Sequence, residues 1–324
     1  MNAAELLFPS ALQVTETEFR NVLVSGSCNA QAMLLHFSNL YPNVHFDHAF
    51  FNNFGKMPDI PQPAENYDIQ LVSLPLRDII SDSIIAFSSF NDRDRNEVIR
   101  NHSLATLKFM IDSVLEYNKK YGILTVVMNF TAPIVPVANS LKNISTDFDF
   151  SKFVRVLNAE LGDILAEYTN VFILDAETIF DAIGKRYLSE DLFGFYSHGT
   201  FYWQAHWLHD TPPHHNAQPR IEPLPNLDEH YPSHAIQLMQ ALWRGMISIY
   251  RTVHQIDTVK MVVFDLDDTL WRGQIAEHYG EDGNWPVLHG WPLGVWEAVQ
   301  HLRARGILTA ICSKNEESLV RQRW

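Results

Sequence analysis

Two carboxylates pose the first chemical question. Asp265 and Asp267 stand two residues apart directly after the largely apolar run 259–264, and Thr269 follows two residues later. A short β-branched and aromatic run reads as a buried strand, so both acids leave it at its carboxyl end. Ligands of open α/β sheets collect in that crevice. Two acids beside a hydroxyl suit phosphoryl chemistry with Mg²⁺. One carboxylate attacks phosphorus, the other trades a proton with the leaving group, and the cation neutralises phosphate charge. For two acids alone, the alternative is a strand end running into a solvated acidic turn.

A second strand is expected about forty residues on, at Gly306–Cys312, ending in Ser313-Lys314-Asn315 before a helix that starts near Glu316. Residues Val295–Leu302 have helical spacing between the two strands. The result is a strand–helix–strand unit, for which a right-handed crossover is expected. Such a unit sets Asp265, Asp267 and Ser313 side by side.

At these residues the chain resembles the haloacid dehalogenase (HAD) superfamily. Asp265-x-Asp267-x-Thr269 is similar to its first motif and Ser313 to its second. The longer strings Asp265–Gly273 and Cys312–Asn315 are similar to subfamily IIIC, the FkbH-like proteins. The resemblance implies Asp265 as nucleophile, Asp267 as general acid/base, Thr269 as the residue that orients them and Ser313 as the phosphate holder. It also implies Mg²⁺ on Asp265 and the Asp267 carbonyl. The family's later motifs, a lysine and then an acidic pair, are expected beyond Trp324, since Lys314 adjoins the second motif instead of ending a later strand. The expectation is therefore a partial HAD domain over 256–324, truncated at its carboxyl end, with a weak metal site. The segment Trp271–Gly290 is too short for a cap, which leaves the site open to a large partner. FkbH-like resemblance implies a phosphorylated small molecule as substrate. It further implies either glyceryl or acyl loading onto an acyl carrier protein, with Cys312 as a candidate acyl holder, or phosphatase action in polyketide or surface-polysaccharide pathways.

Residues 1–255 alternate strand and helix signals, the pattern of a parallel α/β sheet. Strands are expected at Asn21–Ser25, Asp68–Ser73, Ile123–Met128 and Asn170–Asp175. Helices are expected at Gln31–Leu40, Arg93–Lys120, Phe153–Tyr168 and His234–His254, and an irregular stretch at Asp191–Asp228. A doubly wound fold would gather Ser27 and Cys28 after the first strand, Asn129 after the third and His230 before the last helix. These supply a nucleophile, an oxyanion donor and a base, the set for acyl transfer. The order is similar to that of SGNH hydrolases. Cys28 falls in the nucleophile slot and Ser27 where those enzymes carry aspartate. Their triad aspartate would lie at Leu227, one residue from Asp228. The alternative is a tight turn holding a buried cysteine in a non-catalytic domain.

Composition sets outer bounds. A formal net charge of −14, with no basic stripe, argues against nucleic acid or anionic membrane as partner. The two cysteines, Cys28 and Cys312, make a disulfide framework unexpected and a reducing compartment the default. The amino terminus lacks the basic head and apolar core of a signal peptide, and no apolar run reaches the ~18–20 residues that span a bilayer. The expected setting is the cytoplasm. His198, His206, His209, His214, His215, His230 and His234 could in principle hold zinc, but no cysteine joins them and the spacing matches no common finger. Packing or a substrate-facing loop is the expectation there, and packing is also expected for Trp271 and Trp291. The reading is thus α/β throughout: an SGNH-like doubly wound domain, then the opening of a HAD Rossmann-like domain. The leading function is Mg²⁺-dependent phosphoryl transfer. The alternatives are an ester hydrolase or acyltransferase built on Cys28 and His230, or a non-catalytic scaffold that docks a carrier protein.

Overall fold

In the computed structural model the described residues are 2–16, 19–50, 57–80, 93–132, 150–188, 227–277 and 293–323. The chain divides into two units, Met1–His254 and Gln255–Trp324. Both are α/β, each built on parallel strands.

The amino-terminal unit carries five strands: β1 Asn21–Gly26, β2 His45–Phe50, β3 Ile69–Ser73, β4 Thr125–Met128 and β5 Val171–Leu174. All neighbours pair in parallel, in the order β2-β1-β3-β4-β5. The chain winds outward from β1 in both directions, so the order reverses between β1 and β3. The pleat explains why both faces must be covered. Leu23, Val72 and Val127 belong to one buried cluster, and Val22, Val24, Ile69, Leu71, Val126 and Met128 to another. Helices α4 Arg93–Val114, α5 Glu116–Tyr121 and α6 Phe150–Leu165 close the first face. Helices α2 Cys28–Leu40, α7 Ala176–Ile183 and α8 Leu227–Val253 close the second. Two short helices, α1 Ala3–Leu7 and α3 Leu76–Ile79, complete the unit. Continuous apolar strands between two helical layers are the expected signature of a buried parallel sheet.

One row across the sheet is polar instead. Gln70 on β3 is fully buried; its Nε2 donates to Ser25 Oγ on β1 (2.9 Å) and to Val114 O on α4 (3.3 Å). Its Oε1 accepts from Thr125 Oγ1 on β4 (3.2 Å). Each buried polar atom in this row thus has a partner inside the protein, as burial demands.

Several boundaries differ from expectation. Strand β2 was not anticipated, because it is an edge strand whose His45 and His48 are exposed and whose Asp47 interrupts the apolar run. The helix expected over Arg93–Lys120 is broken at Leu115, and α5 ends on Gly122, whose φ of +70° is the left-handed cap glycine adopts without strain. Helix α2 starts at Cys28, three residues before Gln31, and α8 starts at Leu227, seven residues before His234. Helix α7 follows β5 without warning: Asp175 caps it by accepting from Thr178 N (3.1 Å) instead of ending the strand. The expected irregular stretch lies mostly outside the described residues.

The carboxy-terminal unit pairs β6 Met261–Phe264 with β7 Leu308–Ile311 in parallel. Helix α9 Leu293–Ala304 runs between them and α10 Glu317–Arg323 follows. The core gathers Leu266, Leu270, Trp271 and Ile275, with Phe264, Trp296, Val299 and Leu319 against it. Both strands were expected to be buried, and here the structure corrects the reading. Met261, Val263 and Leu308 are 53%, 50% and 68% exposed. Helical cover reaches one face of this two-stranded sheet among the described residues, so the outward half of each pleat meets solvent. No described helix is long and apolar enough to cross a membrane.

Candidate functional site

Pleating and plugging together bring the acids of the carboxy-terminal unit to the surface. Leu266, Leu270 and Trp271 are buried, and their backbone turns on one carbonyl: Thr269 N, Leu270 N and Trp271 N all donate to Leu266 O, at 3.2, 2.9 and 3.3 Å. Asp268 takes φ +53° in that turn, and its Oδ1 accepts from Gly273 N (2.8 Å), fastening the loop. With the three apolar residues turned inward, Asp265 is exposed while Asp267 and Thr269 are half-buried.

The two carboxylates are held differently. Asp265 Oδ1 accepts from the adjoining Leu266 N (2.8 Å). Asp267 is gripped from several sides. Its Oδ1 accepts from Trp271 Nε1 (2.9 Å) and Ile275 N (3.3 Å), and its Oδ2 accepts from Asn315 Nδ2 (2.8 Å). Trp271 therefore packs, as expected, and also orients an acid.

The second strand delivers the rest. Cys312 N donates to Phe264 O (2.9 Å), so β6 and β7 release their chains at the same edge. Ser313, half-buried, accepts at Oγ from Asn315 Nδ2 (2.8 Å) and from Asn315 N (3.2 Å). Asp267, Asn315 and Ser313 thus form one hydrogen-bonded chain. Asn315 was read only as part of a string; its role needs the fold, since 48 residues separate it from Asp267. Cys312 and Lys314 are exposed. Among the described residues no group of three or more His, Cys, Asp or Glu side chains is placed to hold a metal ion.

In the amino-terminal unit, the crevice beyond β1 and β3 is the point where strand order reverses, the usual ligand position of such sheets. Gly26 pairs with Ser73 there. A Cβ on Gly26 would stand 2.4 Å from Ser73 O and 2.7 Å from Ala30 Cβ, so only glycine lets β1, β3 and α2 approach this closely. Ser27, half-buried, is the residue before α2, and Cys28 is the first residue of that helix. Asn129 follows β4. Its Nδ2 donates to Asp175 Oδ1 (2.8 Å) and its Oδ1 accepts from Glu177 N (3.1 Å), so one of its two amide hydrogens is already committed. Burial alone would raise the Asp175 carboxyl, but hydrogen bonds from Thr178 and Asn129 outweigh it and hold the group below the ordinary carboxylate range. His230 is the fourth residue of α8, inside the helix and not ahead of it. Leu227 and Asp228, the triad-aspartate positions, share that first turn. His234 stacks on Tyr187 at 4.6 Å. His198, His206, His209, His214, His215 and Trp291 lie outside the described residues.

The fold and these sites define an α/β chain of two parallel-sheet units, with paired acids at the strand edge of the second. No protein-family model matches the chain, and no curated protein matches its sequence. Among solved structures it is similar to the N-terminal part of the protein BF1531 from Bacteroides fragilis, which contains a phosphatase domain complexed with Mg. The TM-score is 0.50 at 17% identity, covering 94% of this chain and 71% of that one. A likeness at this level concerns the fold.

Proposed function

We propose that the carboxy-terminal unit is a phosphoryl-transfer site of the HAD type that acts on a phosphorylated small molecule with Mg²⁺. The observation that supports this most is the tie from Asp267 through Asn315 to Ser313 at the shared edge of β6 and β7. Two strand ends thereby present an exposed carboxylate, an oriented carboxylate and a hydroxyl together. The Mg of the Bacteroides fragilis structure agrees with the donor set here. The Asp265 carboxylate and the Asp267 carbonyl would offer it hard oxygen ligands, with water and substrate phosphate completing the shell. When bound it would neutralise charge on the phosphoryl oxygens.

In this reading an Asp265 carboxylate oxygen attacks the phosphorus of a monoester. A bond from phosphorus to Asp265 forms as the bond to the leaving alcohol breaks, and the Asp267 carboxyl supplies the proton that the alcohol takes up. Water then attacks the aspartyl phosphate, the Asp267 carboxylate accepts its proton, and inorganic phosphate departs. Thr269 orients the acids, and the Ser313 hydroxyl donates to a phosphoryl oxygen. The FkbH-like strings extend the proposal to loading a glyceryl or acyl unit onto an acyl carrier protein, and the exposure of Cys312 beside Ser313 suits an acyl holder. Hydrolysis of 4-nitrophenyl phosphate tests the core of the reading. It should require Mg²⁺ and fall at least ~10²-fold in Asp265→Asn. Turnover indifferent to that change, or to chelation, overturns it.

A second reading, ester hydrolysis or acyl transfer at Ser27, Cys28, Asn129 and His230 in an SGNH-like unit, is supported by the position of Ser27 and Cys28 at the β1/β3 reversal. An acyl probe should then label Cys28, and Cys28→Ala should abolish labelling. Labelling that survives the substitution removes this reading.

A further inference from the structure

We infer that Asn315 is a positioning residue of this phosphoryl site, setting the direction of the Ser313 hydroxyl and the orientation of Asp267 at once. The inference rests on the phosphoryl-transfer reading above. A carboxylate only accepts, so the Asn315 atom facing Asp267 Oδ2 is its amide nitrogen. That nitrogen has two hydrogens, and the geometry uses both: one toward Asp267 Oδ2 and one toward Ser313 Oγ, each at 2.8 Å.

The consequence for Ser313 follows from counting lone pairs. A hydroxyl oxygen accepts at two sites, and Asn315 fills both, through Nδ2 at 2.8 Å and backbone N at 3.2 Å. The Ser313 hydroxyl can then only donate. A phosphoryl oxygen, which accepts and carries charge, is the partner such a hydroxyl selects. For Asp267 the consequence is rotational. Trp271 and Ile275 hold Oδ1 from the same loop, and Asn315 is the described tether from the other strand, so it fixes the second oxygen and hence the carboxyl plane. A group that must pass a proton to a departing alcohol needs that plane fixed.

Leaving-group dependence separates this role from a merely structural one. A nitrophenolate departs without a proton, whereas an alkoxide needs one. Asn315→Ala should therefore lower kcat/KM about 10-fold for 4-nitrophenyl phosphate but on the order of 10²–10³-fold for an alkyl phosphate such as glycerol phosphate. Asn315→Ser, which keeps one donor, should recover part of the alkyl-phosphate loss. A readout free of turnover is the affinity for inorganic phosphate with Mg²⁺, measured calorimetrically, which should weaken at least ~5-fold in Asn315→Ala as the Ser313 donor is released. Equal losses on both substrates, with phosphate affinity unchanged, overturn the inference while Asp265→Asn still abolishes turnover. If Asp265→Asn changes nothing, both readings fall. Should Asn315→Ala not fold, Asn315→Ser carries the same comparison.

Discussion

Replacing Gly26 by alanine probes a close junction between β1, β3 and α2. Gly26 is not among the residues at positive φ, so its need is for space, not for a special backbone. The added methyl would sit 2.4 Å from a β3 carbonyl oxygen and 2.7 Å from the Ala30 methyl, and the nearest atom is backbone that no side-chain rotation can move. Either β1 and β3 separate at Ser73 or α2 lifts from the sheet. Overpacking of this kind costs about 1–3 kcal/mol. For a unit of this size that corresponds to roughly 2–12 °C in melting temperature. Gly162 in α6 provides the control, because a Cβ there meets its nearest neighbour, Ile173 Cδ1, at an ordinary 3.8 Å. Gly162→Ala should leave stability unchanged or raise it by about 0.5–1 kcal/mol. Thermal unfolding of the full chain, followed by tryptophan fluorescence, reads both variants. If Gly26→Ala melts within a degree of the parent, the close approach at the β1/β3 reversal is not a constraint and the reasoning fails.

Acid should weaken the amino-terminal unit through Asp175. Its folded carboxyl lies below the ordinary value, so the stabilisation it brings is complete above about pH 4 and drains away as pH falls through the folded value. Asp175→Asn, which keeps the helix cap, should make the melting temperature fall less steeply below pH 4, and an unchanged slope would contradict this. Val263→Lys should change stability by no more than ~0.5 kcal/mol, since half of that side chain already meets water. A loss of several kcal/mol in urea unfolding would restore the buried-strand expectation.

Much of the scaffold could be read from the chain alone. β1, β3 and β4 announce themselves because a strand covered on both faces must be apolar at nearly every position, and few other elements need that. The same logic overreached at β6 and β7. Val262, Val263 and Ile311 record what a parallel strand prefers, not how much of it is covered. β2 escaped notice because an edge strand tolerates His45 and Asp47, the latter accepting at one oxygen from Gln62, Tyr67 and His45. Helix α7 escaped because Asp175 looks the same as a strand terminator and as a cap. At the candidate phosphoryl site the aspartates, Thr269 and Ser313 were visible by motif. The link from Asp267 to Ser313 was not, because Asn315 reaches Asp267 only after a parallel crossover has closed.

The buried row of Ser25, Gln70 and Thr125 bears on how the chain finds this arrangement. Apolar strands interdigitate in many alignments with similar gain, and nothing in a valine records which neighbour it should face. Sliding β3 by one residue would turn Gln70 toward the opposite helical layer and strand the hydroxyls of its two partners. Each abandoned group costs about 1–3 kcal/mol. The amide thus works as a key among blanks, rejecting mispaired sheets that hydrophobic collapse alone would accept.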